Sequence, residues 1–536
     1  MPEALAYASI AGVSPVVGLY AAPGALILYA AFGSSKHLIV GPMAATAALS
    51  AAAVGTLAAG NSGRFTALTM TLAITMGILA LAAGLLRLGF VANFISEPVL
   101  KGFIVGLALT IIIGQVPKLF GVDKGSGDFF EQCWDVISRL GHAQWRTLIV
   151  GLVSLAIVLV LRKVAPAVPA PLVAVAFGIL AVYLLKLQDH GVKIVGHIDS
   201  GLPSFGLPSV PAGDYLKLVG PSVGIMLVGF AEGLGAAKTY AARNGYEIDT
   251  NSELIGLGAA NVAAGLSSGM VVNGSLSKTA VNGSAGARTQ VSGLVIAGLT
   301  VLTLLFLTGL FEDLPEATLG AVVIAALIEL VDIAALRALY RAHTARLGRI
   351  YGYAARVDFI AALAAMLGVL IFDTLPGLFI GISVSLLLLL YRTSKPNVAV
   401  LGQVPGGSQW TDMARHPEDR PAPGVAVLRV EAGLFFANSD YVRAAILHAA
   451  GKPGLRAVVL DCETVPFIDV TAGRMLDELT ADLHGRGIRL VIAREVGQVR
   501  DVLAKAGDAA VPEYFPSVRD AVGVVSSPPA PRTGEK

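Results

Sequence analysis

The sequence predicts a polytopic α-helical membrane protein built from two inverted repeats of seven spans, followed by a small α/β domain. Three observations carry that prediction. Hydrophobic residues make up 55% of the 536 and charged ones only 14%, with a mean hydropathy of +0.73; a soluble chain carries about 25% charge. Apolar runs long enough to approach the ~20 residues that cross about 30 Å of hydrocarbon recur along the first 395 residues. Beyond residue 396 the pattern changes to short β-type runs alternating with helical ones.

Composition also removes whole classes of function. A net charge of +2 implies no nucleic-acid partner. Two cysteines, Cys133 and Cys462, give neither a disulfide framework nor a metal cluster. No P-loop, GxSxG or His/Cys ligand spacing is present, so neither an enzyme nor a bound cofactor is expected. The chain opens in apolar sequence without a basic leader, which reads as no cleavable signal peptide.

In chain order, the span candidates are the Gly/Ala-rich segments 1–13, 16–33 and 41–59, then the stronger runs 65–87, 97–117, 145–162, 168–187 and 215–237. After them come 251–267 and 274–284, which read weakly, then 288–310, 317–333, 357–373 and 376–392. Basic residues mark alternate ends: Lys36 and His37, Arg87, Arg162 and Lys163, Lys238 and Arg243, a cluster of Arg337, Arg341, Arg346, Arg349 and Arg356, then Arg392 and Lys395. The positive-inside rule places these ends in the cytoplasm, and the polar segment 188–213 opposite. Lys118, Lys124, Arg139 and Arg146 run against the pattern.

The halves look related. Glu3-Ala4-Leu5-Ala6 resembles Glu232-Gly233-Leu234-Gly235 at an offset of 229 (232 − 3). Gly41 and Gly274 differ by 233 (274 − 41), and Glu97-Pro98-Val99-Leu100 resembles Glu316-Ala317-Thr318-Leu319 at 219 (316 − 97). Any one match is chance in so Ala/Gly/Leu-rich a chain; three in order argue for a repeat. Seven spans per half make the halves antiparallel.

Two interrupted apolar segments stand at matching places. One is Leu38-Ile39-Val40-Gly41-Pro42-Met43-Ala44, the other Met270-Val271-Val272-Asn273-Gly274-Ser275-Leu276-Ser277-Lys278. Each runs from strand formers through a glycine break into a small-residue helix start. Paired breaks of this kind point to a substrate site. The helix N-termini they expose carry partial positive charge and free N–H groups, which suits an anion.

Around these breaks, Glu232 stands inside the apolar stretch Val223 to Ala237. A charge at mid-bilayer costs roughly 2.5–3.5 kcal/mol, so an acidic group there marks a pathway or proton relay unless a neighbouring helix simply hydrogen-bonds it. Lys278, one turn into the second broken helix, places a positive charge beside an anion; the alternative is a lysine reaching for the membrane surface. Ser275 and Ser277 offer hydroxyl donors, although each serine alone more often packs helices. Tyr7, one turn past Glu3, either walls the pocket or packs. Glu97 and Glu316 open helices, where a carboxylate favours the dipole, and read as structural.

For the C-terminal region the reading is a linker at 396–423, an α/β domain at 424–525 and a Pro-rich, charged, disordered tail at 526–536. Strands are expected at Val425–Val430, Leu434–Ala437, Ala457–Leu460 and Ile488–Ala493, with helices at Tyr441–Ala450, Thr471–Leu483 and 496–506. Asp461 and Asp469 flank Val465-Pro466-Phe467-Ile468, and Asp469 reads as a helix N-cap.

These residues together resemble the SulP (sulfate permease) family of anion transporters. Pro2-Glu3-Ala4-Leu5-Ala6-Tyr7-Ala8 and Pro15-Val16-Val17-Gly18-Leu19-Tyr20 look like its first-helix signature. Gly33-Ser34-Ser35-Lys36-His37 through Gly41-Pro42 resembles the entry to its third helix, and Asn273-Gly274-Ser275-Leu276-Ser277-Lys278-Thr279 its tenth. Val458-Val459-Leu460-Asp461 and Phe467-Ile468-Asp469-Val470-Thr471 look like a STAS domain. The resemblance implies core and gate domains within residues 1–395, with an anion held between the third and tenth helices. It implies that Met43 and Ala44 present backbone N–H groups, that Leu276, Ser277 and Lys278 line the other helix, and that Tyr7 joins them. Glu232 matches an acidic position linked to cation coupling. Elevator-like transport, a homodimer aided by a cytoplasmic STAS domain, and location in the cell inner membrane among its lipids are further implications.

Three departures stand out. The chain begins within the family's first helix, which is therefore expected at half length. Glu3 replaces a common glutamine. Val470 stands where STAS-type antagonists carry a phosphorylated serine, leaving Thr471 as the weaker substitute. The resulting expectation is a secondary transporter of a small inorganic anion, sulfate first, with protons as coupling ion through Glu232. Sodium-coupled bicarbonate or dicarboxylate transport shares the same pocket. A nucleobase:cation symporter wants carboxylates on both facing helices, which Lys278 opposes. A non-transporting STAS scaffold is the remaining alternative.

Overall fold

Helices form where the apolar runs place them. The computed structural model describes residues 2–526 apart from 59, 91–95, 124, 126, 166–167, 199, 329–330, 342–355, 373 and 507–512. Lys124, Arg346 and Arg349, and all of the expected tail but Ser526, lie outside the described residues.

The first half runs α1 (Pro2–Ile10), α2 (Pro15–Phe32), β1 (Ile39–Gly41), α3 (Ala44–Ala58), α4 (Ser62–Leu85), α5 (Glu97–Phe120), α6 (Phe129–Arg139), α7 (Trp145–Val164) and α8 (Ala170–Leu185). The second runs α9 (Ala212–Asn244), α10 (Thr250–Leu266), β2 (Asn273–Ser275), α11 (Leu276–Ser284), α12 (Val291–Phe306), α13 (Glu316–Ile328), α14 (Ile333–Arg341), α15 (Val357–Phe372) and α16 (Thr374–Ser394). Among the described residues, seven helices are long and apolar enough to cross a membrane. Each of the fourteen expected spans contains a described helix. The sequence reading missed α6 and α14, which carry no long apolar run.

Local chemistry sets the ends. Asn61 accepts the Arg64 N–H at 2.9 Å to cap α4, and Asp249 accepts that of Asn251 at 2.9 Å to cap α10. Glycine at φ 68° closes both α5, at Gly121, and α9, at Gly245.

Two helix groups follow from packing. In one, α10 packs on α4 and α2, α4 on α9, and α2 on α12. The approach is backbone to backbone: a Cβ at Gly77 would lie 2.6 Å from the Val262 nitrogen. In the other, α5 packs on α15 and α13, and α13 on α7. There a Cβ at Gly102 would fall 1.9 Å from the Ala362 carbonyl oxygen. These groups correspond to the core and gate expected of the fold.

The C-terminal body is a six-stranded sheet in the order β4-β3-β5-β6-β7-β8. Its strands are β3 (Val398–Gln403), β4 (Trp410–Asp412), β5 (Val425–Val430), β6 (Ala457–Asp461), β7 (Arg489–Ala493) and β8 (Glu513–Phe515). β5 through β8 are parallel, while β3 pairs antiparallel with β4 and β5. Helices α17 (Ser439–Ala450), α18 (Val470–Gly485) and α19 (Gly497–Ala506) are joined by α20 (Val518–Ser526). One face of the sheet buries Val442, Ile446, Leu476, Leu479 and Val499; the other buries Val518, Ala521 and Val525 of α20.

Two expectations are corrected. Segment 396–423 supplies β3 and β4 and is part of the sheet, because Val398 to Leu401 register against Val430 to Val427. Leu434–Ala437 is no strand: Leu434 makes only an isolated bridge to Ile468, and Asn438 accepts the Phe435 N–H at 3.0 Å in a turn. Asp469 does cap α18, accepting the Ala472 N–H at 2.8 Å. Its neighbour Val470 is exposed.

Candidate functional site

The two glycine-broken segments meet. β1 and β2 pair antiparallel, with Ile39 opposite Ser275, Val40 opposite Gly274 and Gly41 opposite Asn273. All six residues are buried. Each strand is only three residues long, and each is followed at once by a helix start. Glycine is required at 274, since a Cβ there would lie 2.7 Å from Leu38 Cδ2 and 3.1 Å from Gly233 Cα on α9.

Side chains of the second half sew the ribbon together. Ile39 donates its N–H to Thr279 Oγ1 at 3.1 Å. Asn282 donates to the His37 carbonyl at 3.0 Å, and Gln290 to those of Ser35 and Leu38 at 2.7 and 2.9 Å. Asn261 on α10 serves Val272 twice: its Nδ2 donates to the carbonyl at 3.0 Å, and its Oδ1 accepts the N–H at 2.9 Å. Extended backbone inside an apolar bundle is thereby satisfied.

The ribbon brings the starts of α3 and α11 to one place. At α3, the Met43 carbonyl accepts the Ala47 N–H at 2.9 Å. The N–H groups of Ala44, Ala45 and Thr46, in the turn before it, have no partner within the helix. At α11, Ser275 caps the helix by accepting the Lys278 N–H at 3.3 Å. Lys278 reaches back across the gap, its Nζ donating to the Pro42 carbonyl at 2.7 Å and standing 5.4 Å from the centroid of the Tyr7 ring.

Of the sequence-predicted residues, Tyr7, Met43, Ala44 and Lys278 therefore gather at one point. Leu276 and Ser277 are exposed at the start of α11. Ser275 is buried, with its hydroxyl engaged in capping and 3.2 Å from that of Ser277. Among the described residues, Glu232 makes neither a hydrogen bond nor an ion pair with Lys278. It lies on α9 beside Gly233, which packs on Gly274, and its Oε2 is buried without a hydrogen-bond partner. Two features escaped the sequence reading. Asn273 is fully buried, and neither amide atom has a partner. Glu253 is also buried, accepting from the Tyr29 hydroxyl at 2.7 Å and from the Ser34 and Ser35 N–H groups at 2.8 and 2.7 Å. A cavity of about 10 Å³, room for one water, lies between them, lined also by Leu38 and Val40. A polar residue beside the glycine break was the available signal for Asn273; Glu253 reads in sequence as a first-turn acid. Among the described residues, no cluster of His, Cys, Asp and Glu is arranged to hold a metal ion.

A model of the sulfate permease family matches residues 1–349, and one of the STAS domain matches residues 416–521. A probable sulfate transporter of Mycobacterium tuberculosis is 37% identical over 508 residues, covering 94% of this chain and 89% of that one. Sulfate transporter 1.3 of Arabidopsis thaliana is 32% identical over 524 residues, 92% of this chain and 77% of that one. Among solved structures, murine solute carrier 26 family member A9, an anion transporter in its inward-facing state, matches with a TM-score of 0.88 at 23% identity, over 98% of this chain and 89% of that one. The transmembrane domain of the cyanobacterial bicarbonate transporter BicA matches with a TM-score of 0.61 at 22% identity, over 71% of this chain and 93% of that domain. The last two likenesses show the fold.

Proposed function

The chain belongs to the sulfate permease family, as a multi-pass membrane protein with a cytoplasmic STAS domain, and from that premise we propose that it is a secondary active transporter of sulfate driven by protons. The observation that carries this reading is the convergence of two helix N-termini and the Lys278 ammonium on one point. Such a site favours a small anion rich in oxygen acceptors. Sulfate is the choice among such anions because relatives at 37% and 32% identity bear the name of sulfate transporters.

Glu232 is the proposed proton carrier. A carboxyl oxygen buried in the bundle without a partner is costly when charged, and protonation removes that cost. Tyr7, Met43, Ala44, Leu276, Ser277 and Lys278 are the proposed substrate contacts, with Ser275 holding the helix start. Movement is proposed to be elevator-like, because the ribbon and its helices pack as one group and α5, α7, α13 and α15 as another. A homodimer is the proposed assembly.

The test is uptake of labelled sulfate by the full-length protein in proteoliposomes under imposed pH or sodium gradients. An acid-outside gradient should drive accumulation, and a sodium gradient should not. Glu232→Gln should abolish pH-driven accumulation while sulfate–sulfate exchange persists. Wild-type acid-driven accumulation by Glu232→Gln would overturn the coupling role.

A further inference from the structure

Helix α6 has no role in the site, yet its pattern is the most sharply two-sided among the described helices. At 100° per residue, Phe129, Phe130, Cys133, Trp134, Val136 and Ile137 occupy one side, and Glu131, Gln132, Asp135, Ser138 and Arg139 the other. The helix is firmly built. Asp128 accepts the Glu131 N–H at 2.9 Å, and Glu131 accepts that of Asp128 at 3.3 Å, forming a capping box. On the polar side Arg139 donates to the Asp123 carbonyl at 3.2 Å, and Asp123 pairs with Lys193 at 2.7 Å.

The apolar side divides into two stripes. Phe129, Cys133 and Val136 are partly covered, and α6 packs against α5 and α15. Phe130, Trp134 and Ile137, spaced i, i+4 and i+7, are 54%, 70% and 60% exposed. An open row of two aromatics and an isoleucine is a poor surface to leave in water.

Its position indicates the occupant. α6 joins the end of α5 to the start of α7, and α7 runs from Trp145 to Arg162 and Lys163 at its cytoplasmic end. α6 therefore lies at the opposite, external membrane face. On α7, Ile149, Leu152 and Val160 share one side of the helix and are about half exposed. At the junction Trp145 is 64% exposed, with the Arg146 guanidinium 5.2 Å from its ring. Tryptophan beside arginine is the chemistry of the headgroup region, where the ring sits among acyl carbons and the cation meets phosphate.

We propose that α6 is an in-plane membrane anchor, with Phe130, Trp134 and Ile137 inserted into the outer leaflet at headgroup depth. The proposal rests on the membrane setting and stands apart from the transported anion. It also assigns the anchor to the helix group without the broken segments, so the lipid would hold the frame while leaving the β1–β2 site unanchored.

The chain contains three tryptophans, which makes the test direct. In a Trp145→Phe, Trp410→Phe background, Trp134 alone reports from α6 in the full-length protein. Reconstituted in vesicles of phospholipid brominated near the headgroup end of the acyl chain, it should lose about half its emission or more while aqueous iodide quenches it weakly. Adding Phe130→Ser and Ile137→Ser should raise iodide quenching several-fold. Strong iodide quenching without bromolipid quenching in the background protein would mean the stripe faces water and would overturn the proposal. Protection from both quenchers would mean that protein covers it, a second copy being the obvious cover, and would overturn it equally.

Discussion

Replacing Lys278 by alanine should weaken anion binding by one to two orders of magnitude without abolishing it. The Nζ lies 2.7 Å from the Pro42 carbonyl oxygen, at the point where α3 and α11 begin, so a bound anion there meets the ammonium and both helix starts. A hydrogen bond from a charged donor contributes roughly 1.5–3 kcal/mol. At about 1.4 kcal/mol per factor of ten, its loss corresponds to a roughly 10- to 150-fold rise in apparent KM. The two helix N-termini remain, each contributing about 0.3–1 kcal/mol or more toward an anion, so saturable uptake should persist at high substrate. Lys278→Arg keeps the charge on a broader head and should recover part of the loss. The assay is concentration-dependent uptake of labelled sulfate in proteoliposomes, with thermal stability measured in parallel, because the truncation also leaves the Pro42 carbonyl without its donor. A stable Lys278→Ala protein with KM within about twofold of wild type would refute the placement of the anion at this point, since even the low end of the charged-donor range exceeds that shift.

Three further outcomes test the frame around the site. Gly274→Ala forces a Cβ to within 2.7 Å of Leu38 Cδ2 and 3.1 Å of Gly233 Cα, so a loss of stability of about 1–3 kcal/mol and of most transport is expected, read by thermal unfolding and uptake. Asn261→Ala strips both backbone groups of Val272 of their partners at a cost of about 1–3 kcal/mol per buried group, so the melting temperature should fall even if uptake at low temperature survives. Asp461→Ala in the STAS domain removes a fully buried carboxylate that binds Arg429 at 2.7 Å and Arg494 through Nε at 3.0 Å. The expected cost falls at the low end of the about 3–5 kcal/mol typical of orphaned buried pairs, because both guanidinium groups keep some contact with water, and protease resistance of the domain reports it.

The long helices were legible because membrane crossing demands apolar length, and the Gly/Ala-rich spans α3 and α10 were legible, more weakly, as apolar runs of small residues. The helices α6 and α14 were missed for the same reason: each is short and amphipathic, and a search for uniform apolar runs passes over them. In the C-terminal body, β3 was hidden by the Pro, Gly and Ser residues around it. The reading of Leu434–Ala437 as strand fits the β preference of Phe435 and Phe436, but the Asn438 side chain turns the chain there instead. At the site, the glycine breaks and Lys278 were visible, since each is unusual for its surroundings. The pairing of Val40 with Gly274 was not, because nothing local in either segment states its partner 234 residues away. Asn273 and Glu253 were overlooked because both are ordinary in composition and become notable only through burial.

The β1–β2 ribbon has one more consequence. Both helix starts adjoin the six-residue ribbon, Thr279 bonds it at Ile39, Asn282 and Gln290 bond the Ser35–Leu38 stretch that leads into it, and Lys278 bonds Pro42 just beyond it, so the two halves of the cradle are tied together on both sides of the ribbon. A cradle that turns as one piece offers the cargo the same grip whichever side of the membrane it faces. Net flow would then be set by the outside supply and the driving gradient, and a reversed gradient should run the protein backwards as readily as forwards.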